Sequence, residues 1–461
     1  MDYLKLLSDN TSKILSHSKK IRDMLNDILD KDSFVETDMF LSGASMLDGS
    51  QAYGEGVITG YATINDYPVC IAAQNSEVLG GSLSKAQADK ILKVIKRSME
   101  TDTPLISIID SAGARLGEGI SALEGYAQII SSAAELSKYT PHIAIIKGNA
   151  IGLMGMYAAC ADFIFMSDDS VLSAQSPLTL AENVNDIPQK LLGGSTYRES
   201  SLLTIIDYKN NGELKNKISQ IFAYTCDKIS ENEDDPNRTS DALNIDVKSD
   251  NLIAALADEG SLIEMYADYT QYTKTYLATV NSLAAGIVAT NAEKLTKAAI
   301  NKITAFVKLL DKYDLPLITL VNTKGLEGEL SEEKQGLIYD AAKLIATISQ
   351  TDIPKIAVIA DYAIGYGYVA LASKSVGFDY ALAFANAKIA PVTSEAAASI
   401  IYSKELKAEG EPSEIRQKLI EKYAQEEMNP FVSAKGGYVD NIIEPALLRP
   451  YVASALMMLL N

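Results

Sequence analysis

Pro104-Leu105-Ile106-Ser107-Ile108-Ile109-Asp110 and Pro316-Leu317-Ile318-Thr319-Leu320-Val321-Asn322 follow one pattern. Each has a proline, a nearly continuous apolar run and, six residues after the proline, Asp110 or Asn322 at the head of a glycine-bearing loop. An apolar run of this kind, bounded by turn residues, reads as a strand buried on both faces, as in parallel sheets covered by helices. The matches continue outward. Pro141-His142-Ile143-Ala144 pairs with Pro354-Lys355-Ile356-Ala357, and eleven residues after each proline stands Gly152 or Gly365. Ala62-Thr63-Ile64-Asn65 pairs with Ala278-Thr279-Val280-Asn281, with Asn75 and Asn291 ten residues further on. Ser33-Phe34-Val35-Glu36 is echoed by Ser261-Leu262-Ile263-Glu264.

Strand types alone recur in many α/β proteins. The matched offsets and shared order instead require an internal repeat spanning about half the chain. Each half runs strand, helix, strand, glycine loop, helix. Residues 57–73 read as a hairpin, 85–100 as an amphipathic helix, and 105–109 and 143–146 as buried strands. Residues 295–312, 317–321 and 356–359 repeat the series. The expected class is α/β with crossover connections, in tandem duplication. The polar stretch 227–240, with Glu231-Asn232-Glu233-Asp234-Asp235-Pro236-Asn237, marks the boundary and gives domains 1–235 and 236–461.

Composition narrows the function. At 461 residues the chain exceeds one ordinary core. A net charge of −19 argues against a nucleic-acid partner. Anionic ligands stay open, because clustered backbone N–H groups bind phosphate even on an acidic protein. Cys70, Cys160 and Cys226 form no Cys-x-x-Cys pair, so neither a metal site nor a disulfide framework is expected, and a cytoplasmic setting fits. Met1-Asp2-Tyr3 leads into a charged helical pattern rather than a signal peptide, and no apolar run reaches the roughly 20 residues of a membrane span. The only histidines are His17 and His142, which argues against chemistry built on several imidazoles. His142, among apolar neighbours, reads as a packed core residue.

Two glycine loops follow buried strands: Lys147-Gly148-Asn149-Ala150-Ile151-Gly152-Leu153-Met154-Gly155 and Ala360-Asp361-Tyr362-Ala363-Ile364-Gly365-Tyr366-Gly367-Tyr368. The helix after each loop offers unpaired N–H groups and a positive dipole end, which suits a developing oxyanion. Close strand–helix packing would explain either loop alone; the symmetric pair favours function. A third loop, Asp110-Ser111-Ala112-Gly113-Ala114-Arg115-Leu116-Gly117-Glu118-Gly119, suits a ligand lining, or else a turn whose Arg115 pairs with Glu118. A fourth, Leu79-Gly80-Gly81-Ser82-Leu83, opens a helix for which Ser82 or Ser84 is the N-cap.

On these residues the chain resembles a known family. Gln74-Asn75-Ser76-Glu77-Val78-Leu79-Gly80-Gly81-Ser82-Leu83, the third loop, and Asp162-Phe163-Ile164-Phe165-Met166 are similar to the first half of the carboxyltransferase (beta) subunits of biotin-dependent acyl-CoA carboxylases and of the related decarboxylase alpha subunits. Asp234-Asp235-Pro236-Asn237, Pro316-Leu317-Ile318-Thr319, Ile353-Pro354-Lys355-Ile356 and Gly437-Tyr438-Val439-Asp440 resemble the second half. The propionyl-CoA carboxylase beta and methylmalonyl-CoA decarboxylase alpha types are the nearest in character.

The resemblance implies two crotonase-like domains and carboxyl transfer between carboxybiotin and a short acyl-CoA. It implies an active site between the N domain of one subunit and the C domain of its partner, hence a homo-oligomer, dimer or hexamer. By position, the backbone of Gly152 and Leu153 would hold the thioester enolate oxygen. Tyr366 and Gly367 would hold the ureido oxygen of biotin. Gly80, Gly81, Ser82, Ala112, Gly113, Ala114, Arg115, Gly365 and Val369 would line the substrate. The biotin nitrogen itself moves the proton, so no catalytic histidine is required. Biotin would sit on a separate carboxyl carrier protein, with a biotin carboxylase or a membrane decarboxylase subunit on further chains, since no lysine here stands in a Met-Lys-Met setting.

The chain also departs from the pattern. The family's adjacent glycines are here Gly152-Leu153 and Gly365-Tyr366, Ala112 replaces another, and the region 176–213 is reduced. The departures motivate a second reading, a scaffold paralogue without turnover. A third is a different crotonase-type thioester reaction, which would need a positioned carboxylate such as Glu118 or Glu124.

Overall fold

The computed structural model describes residues 2–42, 52–167, 169–175, 193–230, 234–291, 294–401 and 412–460. Residues 231–233 of the expected linker and 176–192 of the reduced region lie outside the described residues. The chain divides into two compact units, Met1–Phe222 and Ala223–Asn461.

The first unit carries β1 (Val35–Thr37), β2 (Val57–Ile64), β3 (Tyr67–Gln74), β4 (Leu105–Ser111), β5 (His142–Ile151), β6 (Phe163–Met166), β7 (Val171–Ser173) and β8 (Ile205–Ile206). They form one sheet in the order β1-β2-β3-β4-β5-β6-β8, with β7 against β5. The second unit carries β9 (Ile263–Glu264), β10 (Thr273–Val280), β11 (Leu283–Thr290), β12 (Leu317–Thr323), β13 (Lys355–Ile364), β14 (Tyr380–Phe384), β15 (Lys388–Ala390) and β16 (Asn441–Ile443). Read from β9, its order is β9-β10-β11-β12-β13-β14-β16, with β15 against β13. Strand for strand, this is the topology of the first sheet, as the duplication requires. In both units the hairpin is antiparallel and the strands after it are parallel, which needs crossovers through helices.

The agreement extends to irregularities. The β4–β5 ladder slips register between Ile109 and Ser111, and the β12–β13 ladder between Val321 and Thr323. Both hairpins turn on two residues at positive φ, Asn65 and Asp66 in one, Asn281 and Ser282 in the other, as tight two-residue hairpins demand. One carboxylate cradles each turn. Asp30 accepts from the amides of Asn65 and Asp66, both at 2.9 Å, and Asp258 from those of Asn281 and Ser282 at 3.0 and 2.8 Å. Each carboxylate has a cation: Lys215 for Asp30 at 2.8 Å, Arg449 for Asp258 at 2.6 Å. Arg449 also donates to the carbonyls of Asp235 and Leu256, so Asp234-Asp235-Pro236-Asn237 is a structural joint holding the C-terminal helix Leu448–Leu460.

Leu105, Ile106, Ile108, Ile109 and Ile143 to Ile146 are fully buried, as expected of strands covered on both faces. Helices Lys85–Thr101 and Ile120–Leu136 cover one face of the first sheet around a core that includes Leu83, Ile91, Ile95, Tyr126, Ile129 and Met154. Ser84, not Ser82, caps the first of these helices, accepting from Gln87 N at 2.9 Å.

Candidate active site

Because the central strands are parallel, their carboxyl ends share one edge in each unit, and the register slips lie at that edge. Asp110 pins the slip in the first unit: its carboxylate accepts from the amide of Asn149 at 3.2 Å and from the hydroxyl of Ser76. In the second unit Asn322 Oδ1 accepts from Tyr362 N at 3.3 Å. The loop after β4 is then fastened to the loop after β3. Ala112 N donates to Gly80 O at 3.0 Å, and Ser111 Oγ to Gly81 O at 2.8 Å. A side chain at Gly81 would overlap the Asp110 carbonyl. Gly80, Gly81 and Ala112 therefore fasten the two loops together, with the Gly81 amide donating to Val78 O at 3.0 Å.

Which amides stay available follows from the ladder. Leu83 N donates to Gly113 O and Arg115 N to Leu83 O, both at 2.9 Å. Both bonds fall on the neighbours of Ala114, so the Ala114 N–H points to the opposite edge. The second unit repeats this: Leu295 N donates to Gly325 O at 2.7 Å and Glu327 N to Leu295 O at 3.0 Å, leaving the Leu326 N–H outward.

The glycine loops supply the other amides. Gly152 has φ 64° and ψ −129°, and Gly365 has φ 53° and ψ −115°, angles open essentially to glycine alone. Each turns the chain from strand into helix, Leu153–Ala159 or Tyr366–Ala372. The first bonds of these helices run from Met156 N to Gly152 O and from Val369 N to Gly365 O, both at 3.2 Å. The amides of Leu153 and Tyr366 precede these bonds. The Gly152 amide does not: it donates to Ser173 O at 2.7 Å, as the Gly365 amide does to Ala390 O at 2.9 Å. This corrects the expectation that Gly152 N–H is an oxyanion donor. Gly152 sets the backbone, and Leu153 presents the N–H. Gly367 is required for space, since a Cβ there would strike Thr323 Cγ2.

The bulk of the two replacements for glycine is turned away. Leu153 packs against the core of the first unit. The Tyr366 phenol donates to Ala341 O at 2.7 Å, on the helix Leu337–Gln350.

Arg115 is a second correction. It was expected to line the substrate, but it is only 4% exposed, and Nη1 donates to Glu55 Oε2 at 2.7 Å. Nη2 reaches the Ser82 carbonyl at 3.3 Å, so Ser82 contributes a backbone acceptor to this buried pair. Glu118 lies 3.5 Å from Arg115, and its other oxygen accepts from Lys85 N at 2.7 Å. That carboxylate caps the helix Lys85–Thr101. Glu124 is exposed on the helix Ile120–Leu136.

In the second unit a cavity of about 570 Å³ opens beside Gly365. Val369, Ile389, Ala390, Pro391 and Val432 give it apolar walls, and Tyr368, Tyr423 and Tyr438 add rings. Tyr368 is pushed above the usual phenol range by burial and by its neighbour Tyr438, so it stays a neutral hydroxyl. Gly365 and Val369 were expected here. Tyr423, Glu427, Ser433 and Tyr438 were not, although Gly437-Tyr438-Val439-Asp440 had marked the neighbourhood.

Residues 17–461 match the family model of the carboxyl transferase domain. The chain belongs to the carboxyl transferase domain family. It is 32% identical over 459 residues to the methylmalonyl-CoA carboxyltransferase 12S subunit of Propionibacterium freudenreichii subsp. shermanii, covering 95% of this chain and 88% of that one. It is 30% identical over 465 residues to the propionyl-CoA carboxylase beta chain of Roseobacter denitrificans, covering 95% and 90%. A crystal structure of transcarboxylase 12S, described as a hexamer with hydrolysed methylmalonyl-coenzyme A bound, superposes with a TM-score of 0.88 at 29% identity, over 98% of this chain and 91% of that one. For a carboxyl transferase domain protein the duplicated architecture is thus the family fold. The amides of Ala114, Leu153, Leu326 and Tyr366, without a hydrogen-bond partner among the described residues, fall at the same strand and helix ends in both units. Of these four, Leu326 alone carries no motif that would single it out.

Proposed function

We propose that this chain is the acyl-CoA carboxyltransferase component of a biotin-dependent enzyme, with biotin borne on a separate carrier protein. One observation carries the reading: among the described residues each unit presents unspent backbone N–H groups at two matching places, the loop after the second parallel strand and the first turn of the helix after the glycine turn. Two donors are what a thioester enolate oxygen or a ureido oxygen requires, and in a dry site they act without reorganisation. Ala114 and Leu153 would hold the thioester oxygen, Leu326 and Tyr366 the ureido oxygen. Biotin on its carrier, held there, would supply the carboxyl group and a ureido nitrogen able to take the proton of the acyl α-carbon. The chain's residues bind, orient and neutralise charge, so the scarcity of histidines costs nothing. The apolar cavity with its tyrosines suits the bicyclic ring of biotin, and Val369 on its wall suits an uncharged short acyl group.

The scaffold reading rested on crowding by Leu153 and Tyr366, and both side chains point away from their amides. Hydration or hydrolysis would need a positioned carboxylate; of the two expected candidates, Glu118 is engaged by Lys85 N and Arg115, and Glu124 stands exposed on its helix. The expected partners are the biotin carboxyl carrier protein and a biotin carboxylase or membrane decarboxylase subunit, with further copies of this chain in an oligomer. Among the described residues no helix is long and apolar enough to cross a membrane, and the three cysteines are free, which supports a cytoplasmic setting.

Proline tests the amides. At the first helical position it fits the helix and deletes one N–H. Leu153→Pro should lower kcat for carboxyl transfer by about 10²–10³-fold. Leu153→Ala, which keeps the N–H but trims packing, should lose far less. Equal losses in the two variants would refute the donor role.

A further inference from the structure

We infer that Glu427 is the acceptor for the ureido N–H of biotin, the one on the nitrogen that does not carry the carboxyl group. This rests on the carboxyltransferase reading and extends it to a residue that no motif marked. Glu427 directly follows the helix Pro412–Glu426, its amide bonded to Tyr423 O at 3.0 Å, so its position is set by the helix end. It lines the 570 Å³ cavity beside Gly365 and is the one acidic or basic side chain of that lining. Its carboxylate has no hydrogen-bond or ion-pair partner among the described residues. A charged group solvated at the rim of an otherwise apolar cavity is available to whatever enters.

The ligand's chemistry then selects the role. A ureido ring is an apolar disc with a polar edge: a carbonyl oxygen that accepts, and N–H groups that donate. In the carboxyltransferase reading the oxygen would be served by the backbone donors at Leu326 and Tyr366, with one nitrogen facing the acyl group. The remaining N–H would then face a wall that includes Ile389, Pro391 and Val432, where a donor left without an acceptor is unfavourable. Of the acceptors in that wall, Ser433 and the phenols are neutral, and a carboxylate forms the shorter and stronger bond. Glu427 is thus a biotin-binding residue that fixes the rotation of the ring, and with it the nitrogen presented to the acyl-CoA.

The test uses the full chain and free ligand, with dissociation constants from ligand-observed NMR titration of biotin and of the analogue methylated on that nitrogen. Wild type should bind biotin about tenfold more tightly than the methylated analogue. Glu427→Leu should lose the discrimination, and Glu427→Gln, whose amide oxygen still accepts, should keep part of it. Thermal melting confirms that the variants fold. Biotin binding by the wild type with unchanged discrimination in Glu427→Leu overturns the assignment alone. Absence of any biotin binding by the wild type overturns it together with the carboxyltransferase reading.

Discussion

At the scale of single residues, Arg115 shows how a plausible site residue becomes part of the frame. A cation in a small-residue loop suits a phosphate or carboxylate ligand, yet its guanidinium is bonded to Glu55, which is 1% exposed. Removing one member of such a pair leaves a buried uncompensated charge and costs about 3–5 kcal/mol. Arg115→Met should therefore lower thermal stability severely. In whatever fraction folds, the KM for acyl-CoA should change little; a large rise in KM without loss of stability would return Arg115 to the substrate. The partner was hidden from the sequence because Glu55 lies in a stretch with no motif and no periodicity. Leu326 was illegible for a different reason: the role proposed for it is a backbone one, and side-chain identity says nothing about where an amide points. Gly152 and Gly365 were legible because their angles are nearly closed to other residues.

At the scale of elements, the repeat invites comparison of like with like. The helices Lys85–Thr101 and Lys297–Lys312 each bury a lysine at the same offset. Lys90 Nζ donates to the carbonyls of Gly54 and Val57 at 3.0 and 2.7 Å. Lys302 Nζ has no hydrogen-bond acceptor among the described residues. Burial pulls Lys302 down to about 8, against the opposing pull of Glu264. An unfolded lysine keeps its proton to about pH 10.4. The penalty for the buried charge is thus full below pH 8 and fades as pH rises from there toward 10. Lys302→Met should raise Tm at pH 7, with the gain shrinking above pH 8. Lys90→Met, which strands two carbonyls, should lower it. Melting curves from pH 6 to 10 check both, and a Lys302→Met variant less stable at pH 7 would contradict the account. Strands, hairpins and crossover helices were legible because apolar runs and matched offsets report burial directly. The correspondence of the two register slips was not, since a slip depends on which residues two strands pair, and neither strand records that alone.

At the scale of the whole molecule, one supersecondary plan has been used twice and put to two uses. The hairpin carboxylates Asp30 and Asp258, the pinned slips at Asp110 and Asn322, and the glycine turns at Gly152 and Gly365 are retained in both units. What differs lies at the rim: an apolar cavity with Glu427 in the second unit, and a loop held by the Arg115–Glu55 pair in the first. Two units that each turn backbone amides outward at matching places would suit a reaction with two oxygens to hold, the thioester's and the ureido's, as proposed above. The most direct test of that claim is transfer of a labelled carboxyl group from methylmalonyl-CoA or malonyl-CoA to free biotin by the intact chain. The account predicts loss of label from the thioester that depends on biotin and falls by at least about 10²-fold in Leu153→Pro and in Tyr366→Pro. A chain that binds these thioesters yet passes no label to biotin would contradict it.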